Sequence, residues 1–127
     1  MQYKLSKRSL DNLKGVHPDM VNVVKRAIEI TTVDFGITEG LRTKQRQAQL
    51  VAEKKSQTLN SRHITGHAVD VMAYVRGKGS WDWELYEEIN KAFQQAAKEL
   101  RIKVVWGGSW TSLRDGPHFE LDRRFYP

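Results

Sequence analysis

Three of the chain's four histidines fall in two short segments that lie far apart in the sequence. The first segment is SRHITGHAVD at residues 61–70, and the second is DGPHFE at residues 115–120. Two imidazoles and one carboxylate can hold a divalent zinc ion and leave its fourth position for water. A further carboxylate, three residues before the last histidine, can take the proton of that water. The pattern therefore indicates a divided zinc site, and a fold that uses it must bring the two segments together.

Length and composition set the frame for such a site. The 127 residues, 39% apolar and 28% charged, fit one compact domain that buries its own core. The sequence contains no cysteine, so a metal ion would have to be held by His, Asp, Glu or backbone oxygen. A zinc site of this kind that keeps a water position points to a hydrolase.

The charge of the chain favours anionic partners but does not form a patch. The net charge is +6 and the pI is near 9.7. The basic residues are scattered, without a block of five or six, so we expect a solvated, mildly basic surface rather than a nucleic-acid site. The polar N-terminal segment and the absence of a membrane-length apolar run predict a protein made in soluble form in the cytoplasm, without stable membrane insertion.

The hydrophobic pattern predicts an α+β fold with a small antiparallel sheet that carries the zinc site, packed with about four helices. Helical spacing and capping residues predict helices at residues 6–13, 18–31, 43–54 and 82–100. Runs of β-branched and aromatic residues predict strands at residues 33–38, 68–75, 102–106 and 118–121. The polar residues 56–65 are expected to form a loop, and residues 76–80 to end the preceding strand. The order of elements favours α+β over a doubly wound sheet.

The spacing of His63 and His67 allows two interpretations. On a helix, residues four apart share one face and could form a zinc pair. Gly66 between them and the valines that follow favour instead a turn that enters a strand. Alternate side chains of a strand face opposite sides, so Asp70 and His67 should point apart, whereas His63 on the preceding loop can fold back. We therefore expect His63 to be the ligand and His67 to be a neutral, hydrogen-bonded neighbour.

The remaining histidine, His17, precedes Pro18 at the entry to the second predicted helix. This place in the sequence favours a capping or surface role. We expect His17 to lie remote from the zinc motif.

Three carboxylates extend the proposed site. Asp70 lies in an otherwise apolar strand, where a carboxylate needs a cation, and either a metal ion or an arginine would satisfy it. Glu120 would share a strand face with His118 and could orient that imidazole, or it could be a surface carboxylate. The turn that follows Asp115 could bring this carboxylate over the metal-bound water as a general base, although Asp-Gly-Pro is also ordinary turn chemistry.

The pattern Ser-Arg-His-x-x-Gly-x-Ala-x-Asp followed by Asp-Gly-x-His-x-Glu resembles zinc peptidases related to the D-alanyl-D-alanine carboxypeptidases and dipeptidases. It is most similar to phage endolysins that act as L-alanyl-D-glutamate peptidases. The similarity extends to KRSLDNL at residues 7–13, TEGLRT at residues 38–43 and WGGSW at residues 106–110. Many members of the wider group carry a His-x-His pair near the end, where this chain has Glu120 in the second place.

The resemblance implies a role for each site residue. The zinc ligands would be His63, Asp70 and His118, and the catalytic carboxylate would be Asp115. Arg42 would bind substrate or stabilise developing negative charge, whereas the residues alone would leave Arg42 as a structural ion pair. The two roles of Arg42 do not exclude each other.

The resemblance also implies a function. Residues 1–127 would form a single zinc peptidase domain that hydrolyses the L-alanyl-D-glutamate bond of peptidoglycan stem peptides and lyses the host wall. One alternative keeps the same site but cleaves D-alanyl-D-alanine. Another is a non-enzymatic domain with a structural zinc ion, in which His67 or Glu120 is the fourth ligand and the basic surface binds wall polymer or nucleic acid.

The implied partners follow from this function. The substrate would be peptidoglycan, without a nucleic-acid partner, and the protein is expected to be a monomer. An endolysin made in the host cytoplasm acts on peptidoglycan in the periplasm only after the membrane has been permeabilised. The resemblance therefore implies a holin that gives the enzyme access to the wall.

Overall fold

The computed structural model describes residues 2–55, 61–110 and 114–127 of the chain. The helices of this part are α1 (Lys7–Asn12), α2 (Pro18–Ile30), α3 (Lys44–Ala52) and α4 (Trp83–Leu100). Its strands are β1 (Asp34–Glu39), β2 (Ala68–Val75), β3 (Lys78–Ser80), β4 (Val104–Trp106) and β5 (His118–Leu121). A short 3-10 turn, Gly107–Ser109, follows β4. The predicted α+β class and the four predicted helices are confirmed; within the loop predicted at 56–65, residues 62–66 form turns, and 56–60 lie outside the described residues.

The strands form one antiparallel sheet in the order β1-β2-β5-β4, and β3 pairs with β2 beside this path. The central pair is the one that matters for the site. In β2 and β5, Val69 lies opposite Phe119 and Asp70 lies opposite His118. Directly opposed residues on an antiparallel pair have neighbouring side chains. This register therefore brings the two halves of the sequence motif together.

The two faces of the sheet differ in what they bury. On one face, side chains of β2 and β5 join the hydrophobic core together with α2 and α4; these are Val69, Val71, Ala73, Phe119 and Leu121. Because side chains alternate along a strand, Asp70, His118 and Glu120 face the other side. Packing of α2 and α4 thus fixes which face carries the polar motif.

Residues 76–80 were expected to end the preceding strand, and β2 does end at Val75, but the short strand β3 that follows was not predicted. They form a hairpin in which β2 turns back as β3, with Val75 paired to Lys78. Arg76 and Gly77 have φ values of 53° and 79°, so the two-residue loop has positive φ at both positions, as a type I′ turn requires. A short glycine-containing strand has little side-chain pattern, and its sequence therefore gave little strand signal.

Two helices each bury a polar residue. In α1, Leu10 is exposed and Ser9 is buried, because the Ser9 hydroxyl accepts a hydrogen bond from the Ile37 backbone N–H at 2.9 Å. In α3, the buried residues are the apolar Leu50 and the polar Gln47. Among the described residues, no helix is both long enough and apolar enough to cross a membrane.

Candidate metal centre and active site

His63, Asp70 and His118 bring one donor atom each to a common point. The donor atoms all lie within 4.8 Å of one another. Asp70 Oδ1 is 3.3 Å from His63 Nε2 and 3.4 Å from His118 Nδ1. His63 comes from the turns before β2, Asp70 from β2 and His118 from β5. The sheet register and the turn before β2 thus group the three residues that the sequence motif predicted.

The turn before β2 depends on Gly66. This residue has a φ of 77°, and a Cβ atom there would lie 2.6 Å from the Gly15 carbonyl oxygen. The Gly66 carbonyl in turn accepts a hydrogen bond from the His17 backbone N–H at 2.8 Å. Gly66 therefore serves both the backbone conformation and the close approach of the 62–66 turns to the end of α1.

Hydrogen bonds on the far side of each imidazole fix which nitrogen faces the cluster as an acceptor. His63 Nδ1 lies 2.8 Å from the Gly40 carbonyl oxygen, so it must donate its hydrogen there. His118 Nε2 lies 2.9 Å from Glu120 Oε1 and donates to that carboxylate. In neutral rings, His63 Nε2 and His118 Nδ1 are consequently lone pairs directed at Asp70 Oδ1. Three electron-pair donors that converge in this way suit a cation between them.

Two of these three atoms are buried and lack a hydrogen-bond partner within the described residues. They are His63 Nε2 and Asp70 Oδ1. Buried polar atoms without partners are rare and costly, and a bound ion is one of the standard explanations. The two imidazoles and one carboxylate are also the ligand types that zinc prefers when no cysteine is present. The residues present therefore fit a zinc ion.

The ionisation of the cluster is tightly coupled. Burial opposes ionisation of Asp70, but the adjacent rings of His118 and His63, when they carry a proton, outweigh it and lower the pKa of this carboxyl well below its usual range. Burial likewise opposes the charged form of His118, but hydrogen bonds to Asp70 and Glu120 raise the pKa of His118 to about 9. Asp70 is thus a carboxylate at neutral pH, as a metal ligand must be.

Arg42 holds the other oxygen of Asp70. Its Nη2 lies 3.5 Å from Asp70 Oδ2 and 2.7 Å from Glu39 Oε2, while Nε donates to Glu39 Oε1 at 2.7 Å. Nη1 donates to Gln47 Oε1 at 2.6 Å, and the arginine side chain is 8% exposed. The sequence allowed either a metal ion or an arginine as the cation for Asp70, and the geometry provides for both. Arg42 is the structural ion pair that the residues alone predicted.

Glu120 lies behind His118 and is itself held by arginines. It is 6% exposed, and its Oε2 lies 3.7 Å from Arg62 Nε and 3.4 Å from Arg123 Nε. Arg62 is also buried and donates through Nη2 to the carbonyl oxygens of Leu121 and Tyr126. Burial raises the pKa of Glu120, but the bond to His118, its charge and the charge of Arg123 lower it overall. Glu120 is therefore the orienting carboxylate of the two predicted alternatives, and not a surface one.

Asp115 lies beside the donor group on the turn before β5. Its backbone N–H donates to the Gly107 carbonyl at 3.0 Å, and its own carbonyl accepts from the His118 N–H at 3.2 Å. A Cβ atom at Gly107 would lie 3.2 Å from the Asp115 Cβ and 3.1 Å from the His118 Cβ, so glycine permits this close approach. Partial burial and the nearby charge of Asp70 raise the pKa of Asp115, while His118, His63 and Arg42 act in the opposite direction. The residue as a whole is exposed, and its carboxyl group is within electrostatic reach of the cluster.

His67 lies outside the donor group, as the strand alternation predicted. Its Nδ1 lies 2.6 Å from the Thr65 hydroxyl, and burial together with Arg62 and His17 lowers its pKa, which favours the neutral ring. His17 caps α2 as predicted, accepting from the Asp19 backbone N–H at 3.0 Å. The expectation that His17 is remote from the motif was wrong, because its ring lies 5.5 Å from that of His67. Neither His67 nor Glu120 belongs to the group of donors found among the described residues.

Several residues around the site were not predicted to take part in it, although Arg62 and Trp110 lie inside the motifs that carry the family resemblance. Gln47 and Arg62 support the site from buried positions, and the ring of Trp110 lies 5.2 Å from that of His118. On the other side of Asp115, Trp83 packs against Gly116 and supports the guanidinium of Arg114 at 4.3 Å. In the sequence these residues are ordinary polar or aromatic side chains, and residue type alone does not show that they lie beside the site.

A His–Asp–His donor set with an adjacent carboxylate, placed on one face of an open antiparallel sheet, is a group that could hold a metal ion, and metal-dependent hydrolases use donors of these types. Residues 1–126 match the family model described as phage L-alanyl-D-glutamate peptidase, and the chain belongs to this family. The chain is 39% identical over 130 residues to the L-alanyl-D-glutamate peptidase of Escherichia phage T5, with 99% of this chain and 94% of that protein covered.

Two further relatives extend the comparison. The L-alanyl-D-glutamate peptidase of Listeria phage A118 is 32% identical over 123 residues, which cover 94% of this chain and 42% of that protein. The crystal structure of the Serratia marcescens L-Ala D-Glu endopeptidase ChiX superposes with a TM-score of 0.92 at 50% identity and covers 98% of this chain and 94% of that one. The family resemblance inferred from the motifs is thereby confirmed.

Proposed function

We propose that the protein is a zinc-dependent endolysin that hydrolyses the L-alanyl-D-glutamate bond of peptidoglycan stem peptides. The observation that carries this proposal is the convergence of His63 Nε2, Asp70 Oδ1 and His118 Nδ1, with the outer nitrogen of each imidazole fixed as a donor. The bond specificity is inferred from relatives whose names state this bond and which match nearly the whole chain. The proposal treats residues 1–127 as a single catalytic domain.

Each site residue has a separate task in this proposal. His63, Asp70 and His118 would hold zinc, which supplies Lewis-acid polarisation of the scissile carbonyl and lowers the pKa of water. Asp115 takes a proton from the attacking water and returns it to the leaving amine of D-glutamate. Its raised pKa brings it nearer to the value that suits such an exchange at neutral pH. Arg42 stabilises the carboxylate of Asp70 and adds positive charge beside the developing anion.

The test of the catalytic step is Asp115→Asn, which keeps the shape and removes the base. We expect kcat to fall by about 10²- to 10⁴-fold, the usual contribution of general acid–base catalysis, with zinc content and melting temperature unchanged. Asp34→Asn is the matched control, because burial also raises the pKa of the Asp34 carboxyl. Asp34 is the first residue of β1 and pairs with Tyr74, away from the pairing of Asp70 with His118. Full activity of Asp115→Asn would remove Asp115 from its role.

The bond cleaved is tested by mass spectrometry of digested sacculi. Cleavage at L-alanyl-D-glutamate leaves a new L-alanine carboxyl terminus, whereas the carboxypeptidase alternative releases free D-alanine. The alternative of a structural zinc domain predicts no lysis of permeabilised cells and a fourth protein ligand. We further propose that the enzyme acts as a monomer, is made in the host cytoplasm, and reaches periplasmic peptidoglycan once a holin has opened the membrane.

A further inference from the structure

Arg114, the residue immediately before Asp115, is held in a fixed orientation at the edge of the site. Its Nε donates to the Gly108 carbonyl oxygen at 3.0 Å, and its guanidinium carbon lies 4.3 Å from the centre of a Trp83 ring. Trp83 is in turn supported by Trp106, with ring centroids 5.4 Å apart. An exposed arginine ordinarily loses much of its binding energy to side-chain freedom. Arg114 is exposed, yet two contacts already orient it.

These contacts connect Arg114 to the turn before β5 that carries Asp115. Gly108, which accepts its hydrogen bond, follows Gly107, whose carbonyl accepts from the Asp115 backbone N–H. Trp83 packs against Gly116, since a Cβ atom there would lie 3.1 Å from the Trp83 ring. The guanidinium therefore lies on a wall built from the residues that flank Asp115. Its position is fixed relative to the same backbone that fixes the proposed base.

The nearby cation Arg42 is already committed to protein partners. All three of its guanidinium nitrogens donate to Glu39 or Gln47, and the side chain is 8% exposed. For Arg114, by contrast, the one hydrogen bond formed within the described residues uses Nε, and neither terminal nitrogen has a partner among those residues. Within the described residues, Arg114 therefore keeps its two terminal nitrogens available on the wall that flanks Asp115.

The substrate of the proposed reaction carries a matching group. Glutamate has two carboxyl groups, and a glutamyl residue that is joined onward through one of them keeps the other as a free carboxylate. When onward linkage is through the side chain, the free carboxylate is attached to the same carbon as the scissile nitrogen. A guanidinium with two parallel N–H groups binds such a carboxylate with a geometry that a lysine cannot reproduce.

We propose that Arg114, supported by Trp83 and the Gly108 carbonyl, forms the subsite that binds the free carboxylate of D-glutamate next to the scissile bond. This inference rests on the proposed peptidase function and adds the determinant of specificity on the leaving-group side. Arg114 acts by positioning the substrate, and it takes no part in proton transfer. Arg42 keeps the Asp70 carboxylate in place and leaves substrate recognition on this side to Arg114.

The experiment compares two synthetic stem peptides in the zinc-loaded full-length protein. One has the free carboxylate on D-glutamate, and the other has the corresponding carboxamide. We expect the wild-type protein to favour the carboxylate peptide in kcat/KM by about 10- to 100-fold, the range for one charge-assisted hydrogen-bonded contact. In Arg114→Ala, kcat/KM for the carboxylate peptide should fall to the level of the carboxamide peptide, whose kcat/KM should not change. Arg114→Lys should retain part of the preference. Arg8→Ala, an exposed arginine of α1 with the same loss of charge, is the matched control.

The outcomes separate the two proposals. Cleavage of neither peptide by the wild-type protein would overturn the proposed function itself. Cleavage without a carboxylate preference, or an equal loss on both peptides in Arg114→Ala, would overturn the Arg114 subsite and leave the peptidase function standing. Should Arg114→Ala fail to fold, Arg114→Gln retains the side-chain stem and provides the same comparison of peptides.

Discussion

Replacement of Glu120 by Gln should weaken zinc binding even though Glu120 does not touch the proposed ion. Glu120 Oε1 accepts the hydrogen of His118 Nε2 at 2.9 Å in a buried position. The negative charge makes the imidazole more basic and holds the tautomer in which Nδ1 is a lone pair. Glutamine has nearly the same shape, and its oxygen can still accept from Nε2, but it contributes no charge.

The expected size of the effect follows from these contacts. Outer carboxylates of this kind typically contribute about 10- to 100-fold in metal affinity, and retention of a neutral hydrogen bond places Glu120→Gln near the lower end, about 1.4 kcal/mol. The free energy of unfolding should also fall, by about 1–2 kcal/mol. This loss is smaller than that for a fully broken buried ion pair, because Arg62 keeps its hydrogen bonds to the carbonyl oxygens of Leu121 and Tyr126.

The assay is a competition titration of zinc against a chromophoric chelator, combined with urea unfolding of the chelated protein. Arg123→Ala is the control, since it removes a cation from the same carboxylate, 3.4 Å from Oε2, but its side chain is 65% exposed. We expect little change in that variant. Zinc affinity of Glu120→Gln equal to that of the wild-type protein would refute the argument that Glu120 tunes His118.

Three further outcomes follow from the geometry. In chelator-treated protein, the pKa of His118 is raised from 6.5 to about 9, so protonated His118 stabilises the fold fully below about pH 6.5, and this stabilisation is lost as the pH rises through 9. The free energy of unfolding in urea should therefore fall by about 3 kcal/mol between these pH values. A free energy of unfolding that does not change over this range would contradict the prediction. Gly66→Ala should lower the free energy of unfolding by more than Gly77→Ala, because both have positive φ but only at Gly66 would the added Cβ meet backbone, 2.6 Å from Gly15. His67→Gln should retain the wild-type zinc content by atomic absorption, and loss of zinc would place His67 among the ligands.

The β2 strand shows how far the sequence could locate the site. Its observed bounds, Ala68–Val75, are those that the valine-rich pattern predicted. Alternation along it placed Asp70 and His67 on opposite sides, and His67 does lie outside the donor group. The pairing of Asp70 with His118 across two strands could not be predicted from strand alternation, because the register depends on how α2 and α4 fill the opposite face of the sheet.

Residues that act through tertiary contacts were the ones missed. The hairpin strand β3 was missed because three residues with glycine at the centre have neither β-propensity nor an apolar face. Gln47 was invisible within an apparently weak apolar helix, although its burial is explained by the bond from Arg42. Arg114 and Trp83 are distant in sequence and meet only because the turn before β5 packs against the start of α4.

The two oxygens of Asp70 explain why a metal ion and an arginine are not competing accounts of one buried carboxylate. Oδ2 faces Arg42, and Oδ1 faces both imidazoles. A carboxylate that had only the arginine would leave two neutral histidine lone pairs directed at its other oxygen, which is repulsive unless a cation lies between them or a ring is protonated. A carboxylate that had only the ion could rotate. Arg42 removes that rotation, so that the single oxygen that Asp70 offers to the centre is held where His63 and His118 converge.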